Sequence, residues 1–213
     1  MSQIIVFAGP DCVGKSTQIE ETSNYLRNLG KKVVSFSFPT YNDGPYSGLV
    51  KKYLNGELGD RKKLDPRFVA LLYAGDRLEC KPSLDACRDI YDYILMDRYV
   101  ESTLVYQGLS VEADQLLEFR KWVKGIDYVV NRIPMPNLTF YLDLSTEELI
   151  SRLAKKQQKD MHELDMPFMS KVISAYRHLA TTEPHWTKIE CTGKDVNSIQ
   201  NQIRLTLQNQ FSI

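Results

Sequence analysis

The sequence predicts an α/β fold in three layers, a five-stranded parallel sheet flanked by helices, within one domain spanning residues 1–213. Three observations predict it. Five short runs, 4–8, 33–38, 93–96, 138–144 and 187–191, are rich in β-branched and aromatic residues, and most do not alternate polar with apolar. Strands covered on both faces read this way. Amphipathic stretches separate them at 15–29 (ending at Gly30), 66–78, 112–123, 146–155, 167–180 and 196–207. Strands alternating with such helices imply right-handed βαβ units, with ligands beyond the carboxyl ends of the strands. No repeat, low-complexity tract or long linker divides the chain.

The first run ends in the third observation, Gly9-Pro10-Asp11-Cys12-Val13-Gly14-Lys15-Ser16, followed by Thr17 and a helical pattern. Strand, glycine-rich turn and helix together make a phosphate-binding P-loop. Gly9 and Gly14 let the backbone turn its N–H groups toward a phosphate, and the helix N-terminus adds positive partial charge. Lys15 is expected to reach the β- and γ-phosphates of ATP, and the Ser16 hydroxyl to ligate Mg2+.

Composition removes several function classes. The 27 Lys and Arg balance 27 Asp and Glu, so no field draws the chain to nucleic acid or an anionic membrane. No stretch approaches the roughly 20 apolar residues that span a bilayer, and nothing resembles a signal peptide. Cys12, Cys80, Cys87 and Cys191 are scattered, without metal-ligand spacing, and read as reduced thiols in a cytoplasmic protein.

Further along, the second strand leaves through Phe38-Pro39-Thr40-Tyr41, followed by the turn residues Asn42-Asp43-Gly44-Pro45. Tyr73 and Arg77 share a helix face, where a ring could stack on a base beside a guanidinium. The third strand ends in Asp97-Arg98-Tyr99: an Asp positioned to hold Mg2+ through water, and a fork of donors for phosphate. The next helix puts Tyr99, Thr103 and Gln107 on one face, with Ser102 and Tyr106 adjoining. In 152–159 stand Arg152, Lys155, Lys156 and Lys159, either a solvated face or a mobile lid supplying charge to the transition state.

In this order the pieces resemble the thymidylate kinases, nearly end to end. The matching blocks are the P-loop with Asp11 (Ala8 standing where the family has Glu), Phe38-Pro39, Asp97-Arg98-Tyr99 with downstream Ser102 and Tyr106-Gln107, the strand Phe140-Tyr141-Leu142-Asp143-Leu144, and Asp160-x-x-Glu163. The resemblance implies a P-loop kinase fold with a small helical lid at about 152–165, and transfer of the ATP γ-phosphoryl to dTMP with Mg2+. It implies that Asp11 contacts the deoxyribose or orients the acceptor phosphate, and that Phe38 and Pro39 wall the base pocket. Tyr73 would stack on thymine, Arg77 would meet the base and phosphate, Gln107 with Ser102 would lie against the base edge, Arg98 would bind the acceptor phosphate, and Tyr99 would bar a ribose 2′-hydroxyl. Thr192-Gly193-Lys194 would lie by the adenine, with Arg152 on its other side. A homodimer is also implied.

Departures from the family pattern fall on cations. Tyr41 stands where many members have Arg, Cys12 where some have a catalytic P-loop Arg, and Met161 at a lid Arg position. Transition-state charge is then expected from Lys15, Arg98 and lid lysines such as Lys155 and Lys159. Alternatives are a deoxynucleoside kinase, disfavoured because Phe-Pro-Thr-Tyr offers no carboxylate base, a guanine-nucleotide switch, lacking Asn-Lys-x-Asp, and a nucleotide-binding homologue with weakened catalysis.

Overall fold

The structure, a computed structural model, describes residues 2–42, 44–61, 63–155 and 165–213. Its strands are β1 (Gln3–Ala8), β2 (Val33–Ser37), β3 (Tyr93–Asp97), β4 (Leu138–Asp143) and β5 (Trp186–Glu190), all parallel in the order β2-β3-β1-β4-β5. Burial follows the order. Every residue of central β4 and all of β1 but Gln3 are buried, whereas β2 at one edge exposes Ser35 and Ser37. That placement explains why the unbroken apolar runs lie inside and the alternating one at the rim.

The helices are α1 (Lys15–Asn28), α2 (Pro45–Leu54), α3 (Pro66–Arg88), α4 (Val100–Tyr106), α5 (Leu116–Lys124), α6 (Thr146–Lys155), α7 (Met166–Thr182) and α8 (Val196–Phe211). Buried Ile19 and Leu26 of α1, Leu84 of α3, Val172 and Tyr176 of α7, and Ile203 of α8 join the strands in one core. A second cluster, Val50, Tyr53, Val69 and Leu72, binds α2 to α3.

Three elements differ from the sequence reading. The turn chemistry at 42–45 opens α2: Pro45 sits at its first position, and Glu79 accepts from Tyr46 N (3.1 Å) and Ser47 N (3.4 Å). This cap comes from a residue 33 positions away, which no local pattern reveals. Helix α3 runs to Arg88 through Pro82, not to Leu78. The carbonyl deprived of a partner by Pro82 belongs to Leu78, a residue 42% exposed, so water can serve it, and buried Leu84 continues the core stripe. Finally, α5 begins at Leu116 and continues as a π-helix, Gly125–Val130.

Gly75 is required by the α2–α3 contact. A Cβ there would lie 2.1 Å from the Tyr46 ring.

Candidate active site

Register builds the site. Phe7 of β1 pairs with Asp97 of β3, so the loop after β1 and the Asp97-Arg98 corner emerge side by side. Gly9 and Gly14 hold φ of +142° and +102°, and a Cβ on Gly9 would meet the Leu142 carbonyl at 3.0 Å. Only glycine fits that turn. Helix α1 starts at Lys15 with no side chain capping it, which leaves the first-turn N–H groups to the loop and to an anion.

Lys15 is 6% exposed. Its Nζ donates to the Pro10 carbonyl (2.9 Å) and lies 3.9 Å from Asp11 Oδ1 and 4.0 Å from Asp97 Oδ1. Burial, then the nearby Arg98 charge, lowers its pKa to about 8, although Asp11 and Asp97 pull the other way. Asp11 Oδ1 also accepts from Arg98 Nη2 at 2.7 Å. Burial pulls the Arg98 pKa down, but Asp11 together with Tyr106 and Tyr176 more than offsets it and holds the guanidinium well above its ordinary value. Arg98 sits at φ +64°, its N–H bonded to the Phe7 carbonyl (3.1 Å). Such a conformation costs about 1–3 kcal/mol and persists where its surroundings enforce it.

Behind Arg98, Ser102 Oγ accepts from Nη1 (3.4 Å) and shares a hydrogen bond with the Tyr176 hydroxyl (3.1 Å). The Tyr106 ring lies under the guanidinium, 5.4 Å from its carbon. Tyr176 stacks on Tyr141 at 5.3 Å, tying this wall to β4.

On the β2 side, Phe38 and Pro39 are buried, and their loop is held by Asp76, which accepts from Thr40 N (3.0 Å) and Oγ1 (2.6 Å). Arg77 is buried and forks onto Asp127, Nε to Oδ1 at 2.9 Å and Nη2 to Oδ2 at 2.7 Å, while Nη1 donates to Thr103 Oγ1 (3.2 Å). Across the P-loop, Arg152 donates to the Cys12 carbonyl (3.2 Å) and to Glu148 (2.6 Å), and Glu148 accepts from Gly193 N (3.0 Å). The Gly193 N–H, then Arg152, lowers the Glu148 pKa.

The residues fit Mg2+. Asp97 Oδ1 is buried with no hydrogen-bond partner among the described residues, and Ser16 is exposed in the first turn of α1. One carboxylate and one hydroxyl suffice where nucleotide phosphates and water complete an octahedron.

The thymidylate kinase family model matches residues 7–203. A thymidylate kinase of Prochlorococcus marinus subsp. pastoris is 32% identical to this chain over 99% of it and 96% of its own length. A probable thymidylate kinase of Thermococcus kodakarensis is also 32% identical, over 93% of this chain and 94% of its own. This chain belongs to the thymidylate kinase family. The solved thymidylate kinase of Candida albicans has the same fold, with a TM-score of 0.79 over 98% of this chain and 92% of that one at 22% identity.

Against the thymidylate kinase pattern, the structure gathers Asp11, Lys15, Asp97, Arg98 and Ser102 into one cluster. Arg152 and Gly193 meet on the P-loop's other side, linked by Glu148. Tyr73 is half-buried, edge-on to Tyr53 at 6.3 Å, and Gln107 is buried at the end of α4. Tyr99 is buried under Phe38 and donates its hydroxyl to the Pro134 carbonyl (3.0 Å), so it can bar a hydroxyl only through its ring. Lys155 is exposed at the end of α6, whereas Lys156, Lys159 and residues 156–164 of the expected lid lie outside the described residues. Sequence reasoning missed Asp76, Asp127, Glu148 and the role of Tyr176. Each of the four bonds a residue 36 or more positions away.

Proposed function

We propose that the Asp11–Arg98–Lys15–Asp97 cluster is where this kinase aligns its two nucleotides. As a thymidylate kinase, the chain is an ATP-dependent nucleoside monophosphate kinase that transfers the γ-phosphoryl of ATP to dTMP, giving dTDP and ADP. The observation that best supports this assignment of the site is the 2.7 Å Asp11–Arg98 contact at the mouth of the P-loop.

In this reading Gly9 to Thr17 cradle the triphosphate, with Lys15 at its β- and γ-phosphates. Arg98, fixed by Asp11, Ser102 and the Tyr106 ring, receives the acceptor phosphate as a preset fork. An ionised 5′-monophosphate needs no strong base to attack, so alignment and charge neutralisation carry the step. Ser16 and Asp97, the latter through water, would hold Mg2+, which would supply positive charge to offset that of the phosphates. Phe38, Pro39, Tyr73, Arg77, Tyr99 and Gln107 enclose thymine and sugar. Arg77 keeps N–H groups beyond those used by Asp127 and Thr103, and these can face the base edge. Arg152 and Gly193 border the adenine, and Lys155 and Lys159 add charge from the lid.

The chain is a homodimer in this reading. Phe68 and Leu71 are 46% and 43% exposed three residues apart on α3, an apolar face suited to a second copy. Its compartment is the cytoplasm, consistent with four free cysteines, and among the described residues no helix is long and apolar enough to cross a membrane.

ADP release from ATP-Mg2+ with dTMP, dUMP, UMP, dCMP and thymidine compared side by side tests the assignment. Turnover with dTMP well above the rest is expected. Turnover with thymidine alone would overturn the base-free mechanism.

A further inference from the structure

A pocket of about 450 Å3 opens between the end of α4, α5 and α7, and none of its lining residues belongs to the nucleotide cleft. Its volume falls within the roughly 300–1,000 Å3 typical of small-molecule sites. Val105, Leu109, Leu116 and Ala175 make the apolar part of the lining. Arg120, Lys171 and His178 also line it, and among the described lining residues there is no carboxylate.

Arg120 gives the pocket its polarity. Its Nε is buried with no hydrogen-bond partner among the described residues. Burial lowers the Arg120 pKa, opposed by Glu183, but that carboxylate already accepts from Lys124 Nζ at 2.6 Å. The two serines on the wall supply acceptors to no ligand donor in particular: Ser170 and Ser174 turn their hydroxyl protons back onto the Met166 and Ser170 carbonyls.

The walls are also preset. Val105 and Ala175 precede Tyr106 and Tyr176, whose rings pair with each other at 6.4 Å in the core beside Arg98. The two helices are therefore anchored from their inner faces, and a ligand need not order them.

We propose that this pocket binds a small aromatic anion, its ring on the apolar lining and its charge on Arg120, with Lys171 and His178 adding to the field. The site is independent of the phosphoryl-transfer assignment, and either can fail alone.

Anilinonaphthalene sulfonate, an aromatic monoanion that brightens in apolar surroundings, is the probe. Fluorescence is titrated on the full chain with ADP-Mg2+ and dTMP saturating, so that the nucleotide cleft is filled. One saturable site per chain is expected. Arg120→Gln should weaken it about tenfold, the effect of losing a charge-assisted hydrogen bond, and Ala175→Trp should abolish it by filling the pocket. Thermal unfolding and turnover without dye verify that both variants fold. Should Ala175→Trp misfold, Arg120→Gln alone decides, because its side chain is only partly buried. Binding unchanged by the variants, binding lost when the cleft is filled, or no saturable binding would each overturn the proposal.

Discussion

Asp11 and Arg98 are separated by 87 positions in sequence and by 2.7 Å in space, joined as carboxylate Oδ1 and guanidinium Nη2. The contact crosses from the loop after β1 to the corner after β3. It fixes the Arg98 guanidinium, on a left-handed backbone, before any substrate arrives. Preorganisation of this kind contributes to the transition state because nothing need rearrange when charge develops.

If Arg98 acts as a fork, charge alone will not replace it. Arg98→Lys should lower kcat about a hundredfold, in the range of losing an oriented donor to a transition state. Asp11→Asn, which keeps the shape but not the charge, should cost about tenfold. Steady-state kinetics with dTMP varied would read both, and an unchanged kcat in the Arg98→Lys variant would remove Arg98 from the mechanism.

If Lys15 holds the β- and γ-phosphates, its lowered pKa, about 8, makes triphosphate binding a proton-linked event. Phosphate charge favours the ammonium, so at pH 8.5 binding should take up a proton, and at pH 6.5 it should not, since Lys15 is already charged. Calorimetry of ATP-Mg2+ in buffers of different ionisation enthalpy measures this directly. Lys15→Met should erase the buffer dependence at pH 8.5. Stability has the matching sign: the unfolded chain holds this proton up to about pH 10.5, so the cost of burying Lys15 eases as pH rises above about 8.

Glu101 is 3% exposed, and its Oε2 is buried without a partner among the described residues. Burial raises its pKa from 4.5 to about 7. The folded chain therefore binds the extra proton between pH 4.5 and 7, and stability falls across that window by about 3 kcal/mol. Glu101→Gln should flatten the dependence of Tm on pH between 5 and 8. An identical slope in the variant would mean that Glu101 titrates normally.

Breaking the fork between Arg77 and Asp127 strands a buried charge. Asp127→Ala should destabilise the protein by about 3–5 kcal/mol in denaturant unfolding. It should also raise the dTMP KM more than it lowers kcat, because Arg77 would lose its orientation toward the base. Loss of stability with an unchanged KM would confine Arg77 to a structural role.

Much of the site was legible because its chemistry is local. Residues 9–17 form a loop whose function follows from spacing, and Asp97-Arg98 follows a strand recognisable by composition. The supporting residues were not legible. Asp127 lies in a π-helix that carries no sequence signature, and Glu79 caps α2 from the middle of α3. Helix α3 continues past Pro82 because the carbonyl that loses its partner is on an exposed turn, a fact about neighbours and not about proline.

The sequence by itself determined the class of fold, the strand that feeds the P-loop and the family, since periodicity and short motifs depend on residues close along the chain. Tertiary structure alone decided the strand order that puts β3 beside β1, and with it the meeting of Asp11, Lys15, Asp97 and Arg98. It alone set how far burial pulls Lys15 and Glu101 from their ordinary ionisation. Desolvation and ion pairing are properties of the space around a group, and that space is assembled from segments the sequence keeps apart.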